Sequence, residues 1–264
     1  MFKLHGYIGI ILIIMGEILM FYRWEPFSTY LFFTFLWVGF IFFVDALVYH
    51  RSGTSRFINH QKQFWLLFVI SSLFWWFYEL LNIFIDNWRY ENVGQPEWLV
   101  FTVAFSTVLP AVFEASDFLS TFIWFDKIKF KLTVTNKKIS GSIFIGIFAL
   151  ILPFVLPKYT FSLVWISMFF LLDPINYRNK QPSIIGFLQK GKPKLLFTLM
   201  FGTLLCGILW EFWNYWAPAK WYYFVPFVGF FKIFEMPILG FLGYLPFGLS
   251  LYAMYNFFIS LFRK

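Results

Sequence analysis

Apolar runs long enough to cross a bilayer recur from one end of this chain to the other, beginning with LHGYIGIILIIMGEILMFY and ending with ILGFLGYLPFGLSLYAMYNFFIS. A helix needs about 20 such residues to span the hydrocarbon core. Lipid offers backbone N–H and C=O groups no partner, so each run must close its hydrogen bonds within itself as a helix. Charged residues make up only 13% of the chain, against about 25% in water-soluble domains. The expected fold is an all-α polytopic membrane protein of about eight transmembrane helices, near 4–22, 28–49, 63–85, 98–125, 139–157, 160–177, 194–216 and 236–262. Pro153 and Pro157 divide the fifth run from the sixth. Glu17 and the lack of a small-residue cleavage site mark the first run as a retained span, not a signal peptide.

Basic residues alternate between loops. Arg51, Arg56 and Lys62 follow span 2, a Lys cluster at 127–138 follows span 4, and Arg178 to Lys194 follow span 6; Arg263 and Lys264 end the chain. The intervening loops carry Asp86, Glu91 and Glu97. Positive charge stays on the cytoplasmic side. The expectation is an integral protein of a prokaryotic cytoplasmic membrane with both termini in the cytoplasm, its net charge of +8 reflecting topology and attraction to lipid headgroups. Nothing in this pattern points to nucleic acid.

Cofactor chemistry finds few footholds. Cys206 is the lone cysteine, and His5, His50 and His60 sit near span ends or in a loop, so no metal or haem site is expected. Neither G-x-G-x-x-G nor a Walker loop occurs, and no cofactor is expected.

Two stretches of the chain repeat. WVGFIFFVDALVYHR (37–51) matches WISMFFLLDPINYRN (165–179) at Trp37/Trp165, Asp45/Asp173 and Tyr49/Tyr177. YELLNIFIDNWRY (78–90) matches WEFWNYWAPAKWYY (210–223) at Glu79/Glu211, Asn82/Asn214, Trp88/Trp221 and Tyr90/Tyr223. Glu97/Glu235 and the Leu-Pro pairs at 109–110 and 245–246 follow. This predicts two tandem four-helix repeats, residues 1–130 and 131–264, in the same orientation, with a site between them.

Glu79 and Glu211, each followed by Asn three residues on, fall mid-span beside tryptophans, Trp210 and Trp213 flanking Glu211. An ionisable group there costs about 2.5–3.5 kcal/mol or more, which makes it a candidate functional residue. A buried acid beside indole faces suits protonation of an alkene and shelter of a cation. The candidate catalytic residues are therefore Glu79, Glu211, Glu114, Asp45 and Asp173. Asn82, Asn214, Trp88, Tyr90, Trp210, Trp213, Trp221, Tyr223, Glu97 and Glu235 are candidates for binding substrate. The alternative for Glu-x-x-Asn is interhelical hydrogen bonding, and for Asp45 and Asp173 it is pairing with Arg51 or Arg178.

An acid in an apolar span, then W-x-Y, then a proline opening an acid-bearing helix is an order that resembles the integral-membrane lycopene cyclase domain family, itself built of two tandem repeats. Trp210-Glu211 resembles its W-D position, Trp88-Arg89-Tyr90 and Trp221-Tyr222-Tyr223 its W-x-Y element, and LPAVFEASDFL (109–119) its P-x-E-E segment. The chain departs from the pattern in having Glu after Trp210, Glu114 four residues after Pro110, and Ser250 at the matching place in the second copy. The resemblance implies redox-neutral, proton-initiated cyclisation of an isoprenoid end group, as in carotenoid biosynthesis. Three functions stay open: an enzyme acting on an apolar isoprenoid or other lipid, a proton-coupled transporter, and a non-catalytic lipid-binding membrane protein.

Overall fold

A computed structural model describes residues 2–262; Arg263 and Lys264, which entered the orientation argument, lie outside the described residues. Helix makes up 75% of the structure. Eight helices are long and apolar enough to cross a membrane: Leu4–Tyr22, Phe27–Ser52, Gln61–Ile85, Glu97–Ser120, Asn136–Val155, Pro157–Arg178, Lys194–Trp216 and Ile238–Ser260, here spans 1 to 8.

Small residues let spans meet closely. A methyl group on Gly9 of span 1 would lie 2.6 Å from the Gly39 carbonyl of span 2, and one on Gly39 would lie 2.8 Å from the Gly9 carbonyl. Dispersion and close backbone approach drive helix association in lipid, where burial supplies little. Spans 5 and 6 meet in the same way, Gly146 against the Leu171 backbone.

Three spans are discontinuous, a feature that hydropathy alone does not show. Span 4 breaks between Glu97–Phe105 and Val108–Ser120, and span 8 runs as a 3-10 segment, Ile238–Gly243, before the α-helix Tyr244–Ser260. In both, the new helix starts two residues before a proline, Pro110 or Pro246. A helix's first turn has N–H groups without intrahelical partners, so proline sits there without losing a hydrogen bond. Ser71 of span 3 serves the break in span 4: its hydroxyl donates to the Phe105 carbonyl and accepts from the Leu109 N–H. Span 6 likewise starts with short turns, Pro157–Thr160 and Phe161–Leu163, before Val164–Arg178.

The loops after spans 3 and 7 add a small amount of sheet to the expected all-helical fold. Strand β1 (Trp88–Glu91) pairs antiparallel with β2 (Lys220–Tyr223), and a second ribbon joins β3 (Lys232–Ile233) to β4 (Met236–Pro237). In the first ribbon Trp88 faces Tyr223, Arg89 faces Tyr222 and Tyr90 faces Trp221. Side chains alternate across a strand, so each W-x-Y element presents its Trp and its second Tyr on one face.

Candidate functional site

That face of β1 and β2 roofs a cavity of about 490 Å³, within the range of small-molecule sites. Its walls come from both halves of the chain. Five tryptophans (Trp75, Trp88, Trp165, Trp210 and Trp221) line it with Tyr90, Tyr223 and Tyr244. The breaks in spans 4 and 8 open onto it, through Phe105 and Val108 in one and Gly243 and Tyr244 in the other.

Glu79 and Glu211 stand one layer behind this wall. Glu79 Oε1 accepts from Tyr90 Oη at 2.6 Å, Trp75 Nε1 at 2.8 Å and Trp88 Nε1 at 3.1 Å. Glu211 Oε1 accepts from Tyr223 Oη and Tyr244 Oη, both at 2.7 Å, and Trp221 Nε1 donates to Tyr223 Oη at 2.7 Å. Glu211 is fully buried, and its Oε2 has no hydrogen-bond partner among the described residues. Burial first, and then the adjacent carboxylate, holds the Tyr90 and Tyr223 phenols well above their ordinary pKa. Both hydroxyls thus remain donors at neutral pH. The arrangement couples each carboxyl to the cavity through a phenol.

Asn82 and Asn214 hold the strands in place and do not reach the cavity. Asn82 Nδ2 donates to the Trp88 carbonyl at 2.8 Å while its Oδ1 accepts the Asn87 and Trp88 N–H groups at 2.9 and 3.3 Å. Asn214 does the same for Trp221, donating to its carbonyl and accepting its N–H, both at 2.8 Å. A last-turn amide that reaches past its helix end and clips both backbone groups of one strand residue fixes where that strand's indole points. Expected from sequence to contact substrate, both amides are engaged instead by backbone groups at the start of β1 and in β2.

Other side chains grouped with them from sequence lie elsewhere. Trp213 Nε1 donates to Glu17 Oε1 at 2.8 Å, tying span 7 to span 1. This contact gives Glu17 a structural partner that its place in the sequence does not reveal. Glu235 pairs with Lys220 at 2.9 Å, and Glu97 opens span 4, where it accepts from Gln95 Nε2 at 3.1 Å.

Asp45 and Asp173 sit at the opposite ends of their spans and outside the cavity lining. Neither meets the arginine expected from sequence. Residues five or six apart do not share a helical face; Arg51 Nε donates to Thr121 Oγ1 at 2.6 Å and Arg178 to Ser140 Oγ at 2.9 Å. Asp173 instead accepts the N–H groups of Ile184 and Ile185 at 2.7 and 2.9 Å. These open the short helix Ile184–Gln189, whose N-cap is Ser183. Asp45 accepts from Ser55 Oγ at 2.7 Å and from the Phe57 N–H at 2.8 Å, at the start of Arg56–Asn59, whose N-cap is Ser55. His5 Nε2 lies 2.9 Å from Asp45 Oδ1 without the alignment of a hydrogen bond. Both aspartates latch a loop helix to a span end.

Glu114 lies with this second group. Arg56 Nε is 4.0 Å from it but is directed at Asp117, with contacts of 2.7 and 3.2 Å. Neither Glu114 oxygen has a hydrogen-bond partner among the described residues. The five carboxylates grouped from sequence therefore divide into two sets, and only Glu79 and Glu211 connect to the cavity.

Comparison with known proteins returns no match. No protein-family model, no curated protein and no solved structure is similar to the chain. Its site thus rests on its own geometry, to which Tyr244 is the main addition beyond the sequence reading. The available signal was its place two residues before Pro246, in the helix start matching that of span 4. Among the described residues no three His, Cys, Asp or Glu side chains gather as a metal site.

Proposed function

We propose that this chain is an integral-membrane enzyme that takes an apolar isoprenoid or related lipid into the aromatic cavity and acts on it by carboxylate acid/base chemistry. One observation carries the reading: a buried and a half-buried carboxylate, each hydrogen-bonded to a tyrosine of the same indole-lined cavity. In its protonated form Glu211 replaces the proton that Tyr223 delivers to an alkene carbon. The cation so formed lies among indole faces, each worth roughly 0.5–2 kcal/mol. Loss of a proton from a neighbouring carbon to Tyr90 and Glu79 restores an alkene. The product is an isomer of the substrate, and no oxidant or reductant is consumed. This is the cyclisation or isomerisation that the lycopene cyclase resemblance implies. At about 30 Å³ per water-sized group, the cavity holds an isoprenoid end group or a short chain.

Tandem duplication is part of the proposal, with residues 1–130 and 131–264 as the two copies. Exchange of matched residues leaves the β1–β2 register unchanged, since Trp88 and Trp221 each face the other copy's tyrosine. Trp37 packs against Trp210 at 4.9 Å and Trp165 against Tyr78 at 5.3 Å, the same pairing made twice across the halves. The loop charges support cytoplasmic termini in a prokaryotic cytoplasmic membrane.

Glu211→Gln keeps an acceptor for both phenols while removing the proton. It is expected to cut product formation by about 10²–10⁴-fold, the usual contribution of general acid–base catalysis, in protein that still inserts and folds. Mass spectrometry of lipids from cells with wild-type protein, the variant or neither provides the measurement; an identical lipid profile in all three removes the assignment. Transport is the second reading, favoured by the matched breaks in spans 4 and 8 at the cavity wall, because discontinuous helices mark transporter sites. Ligand-dependent proton uptake by proteoliposomes, with the ligand recovered unaltered, selects it.

A further inference from the structure

The cavity that binds the lipid in this reading is not uniformly apolar. Formal charge reaches its lining at two residues, Lys158 and Lys220, and no carboxylate joins them there. Lys158, Tyr159, Ser162 and Phe227 both line the cavity and are exposed, which marks them as its mouth. The Lys158 ammonium rests 5.2 Å from the Phe227 ring centre and forms no ion pair among the described residues. Ser162 lies in the adjoining 3-10 turn, Phe161–Leu163, with its side chain exposed.

Lys220 also borders the cavity, but its ammonium lies with Tyr222 on the other face of β2, held by Glu235 at 2.9 Å and 4.8 Å from the Tyr222 ring centre. Burial works against its charge, but the Glu235 hydrogen bond and Tyr222 outweigh it and raise the Lys220 pKa, so it stays an ammonium. Asn87 is 5% exposed and lines the cavity, yet its side-chain amide makes no hydrogen bond within the protein among the described residues. Its amide is open to the chamber, not sealed within the protein. An unpaired ammonium and an exposed hydroxyl at the mouth of a greasy chamber form a binding surface for an anionic, hydrogen-bond-accepting group.

We propose that the ligand is an amphiphile of one stated kind: an apolar chain lying among the indoles, and a phosphate-type anionic head held at the mouth by Lys158, with Ser162 contributing. The inference rests on the cavity's being a lipid site and names the class of lipid. Lysine binds phosphate as a mobile point charge, and hydrogen bonds involving charged groups are stronger than neutral ones. Neutral isoprenoids of the same chain length lack that attraction.

Quenching of tryptophan fluorescence tests it, because five indoles line the chamber. The purified protein in neutral detergent is titrated with farnesyl phosphate, farnesol and inorganic phosphate. Farnesyl phosphate is expected to bind about tenfold or more tighter than farnesol, and inorganic phosphate neither to quench nor to compete at matched concentration. Lys158→Gln should remove most of the difference while leaving farnesol binding unchanged, and Lys158→Arg should restore it. Equal binding of farnesol and farnesyl phosphate overturns the head-group inference and leaves the lipid cavity standing. Competition by inorganic phosphate at matched concentration overturns the amphiphile in favour of a simple anion site. Binding of neither isoprenoid overturns both this inference and the lipid cavity beneath it.

Discussion

The two ends of the helical bundle hold the same type of residue in opposite circumstances. At one end Asp173 and Asp45 direct both carboxylate oxygens at backbone N–H or hydroxyl groups of neighbouring loops. At the other, Glu79 and Glu211 bond to phenols that themselves face an open cavity. All four carboxylates arise at matched positions of the two halves, and Asp45, Asp173 and Glu211 are fully buried. Burial and matched sequence position therefore do not separate a latch from a cavity-linked carboxylate. The separating feature is the donor: a backbone N–H ends a hydrogen-bond chain, whereas a tyrosine hydroxyl can pass a proton on.

The sharpest way to break this contrast is to delete a latch. Asp173→Ala strands two buried N–H groups at about 1–3 kcal/mol each, so the folded state should lose about 2–6 kcal/mol. Thermal unfolding in detergent measures it, with Glu211→Gln as the control expected to melt close to wild type. If Asp173→Ala melts normally and instead loses lipid turnover, the two ends have been assigned the wrong way round. A smaller effect tests the link between the cavity and its strands. Asn214→Ala removes both hydrogen bonds that hold Trp221, costing about 1–3 kcal/mol. It should also loosen ligand binding, seen as weaker farnesyl phosphate quenching; unchanged binding would mean that the ladder with β1 alone positions Trp221.

The smallest effect concerns the phenols. Tyr90 and Tyr223 have pKa values raised by burial and then by Glu79 and Glu211. A group whose folded-state pKa is raised keeps its proton after the unfolded chain has lost its own, so its contribution is complete below the ordinary tyrosine pKa of about 10. That contribution is lost as pH climbs through the folded value. In tyrosinate absorbance titrations, removing either phenol as Tyr90→Phe or Tyr223→Phe should leave the step near pH ~10 unchanged and diminish only the later rise that accompanies alkaline unfolding. A smaller early step in either variant would mean that the phenol is open to solvent.

Much of the fold follows from composition along the chain. Eight apolar runs have one low-energy arrangement in lipid, the helix, because it satisfies every backbone group locally. The matched spacing of Glu79 with Glu211, and of the two W-x-Y elements, is visible as well, since it is read from residue types alone. The breaks in spans 4 and 8 were half legible: Pro110 and Pro246 mark a helix start, but nothing local reveals that Ser71, in another span, satisfies the groups a break exposes.

The remainder was decided by contacts between distant segments. Four acid positions of similar pattern became two latches and two cavity-linked groups according to which loop folded back on each. The asparagines, which resemble binding residues in a one-dimensional string, turned out to clip their own strands. Tyr244 met Glu211 only because span 8 packs beside span 7, and Lys158 came to a cavity mouth that no single segment outlines. Periodicity and polarity are local properties, so the chain alone determined which segments are helical and embedded. Hydrogen-bond partnership depends on how distant segments pack, so only the bundle decided which carboxylates connect to the cavity.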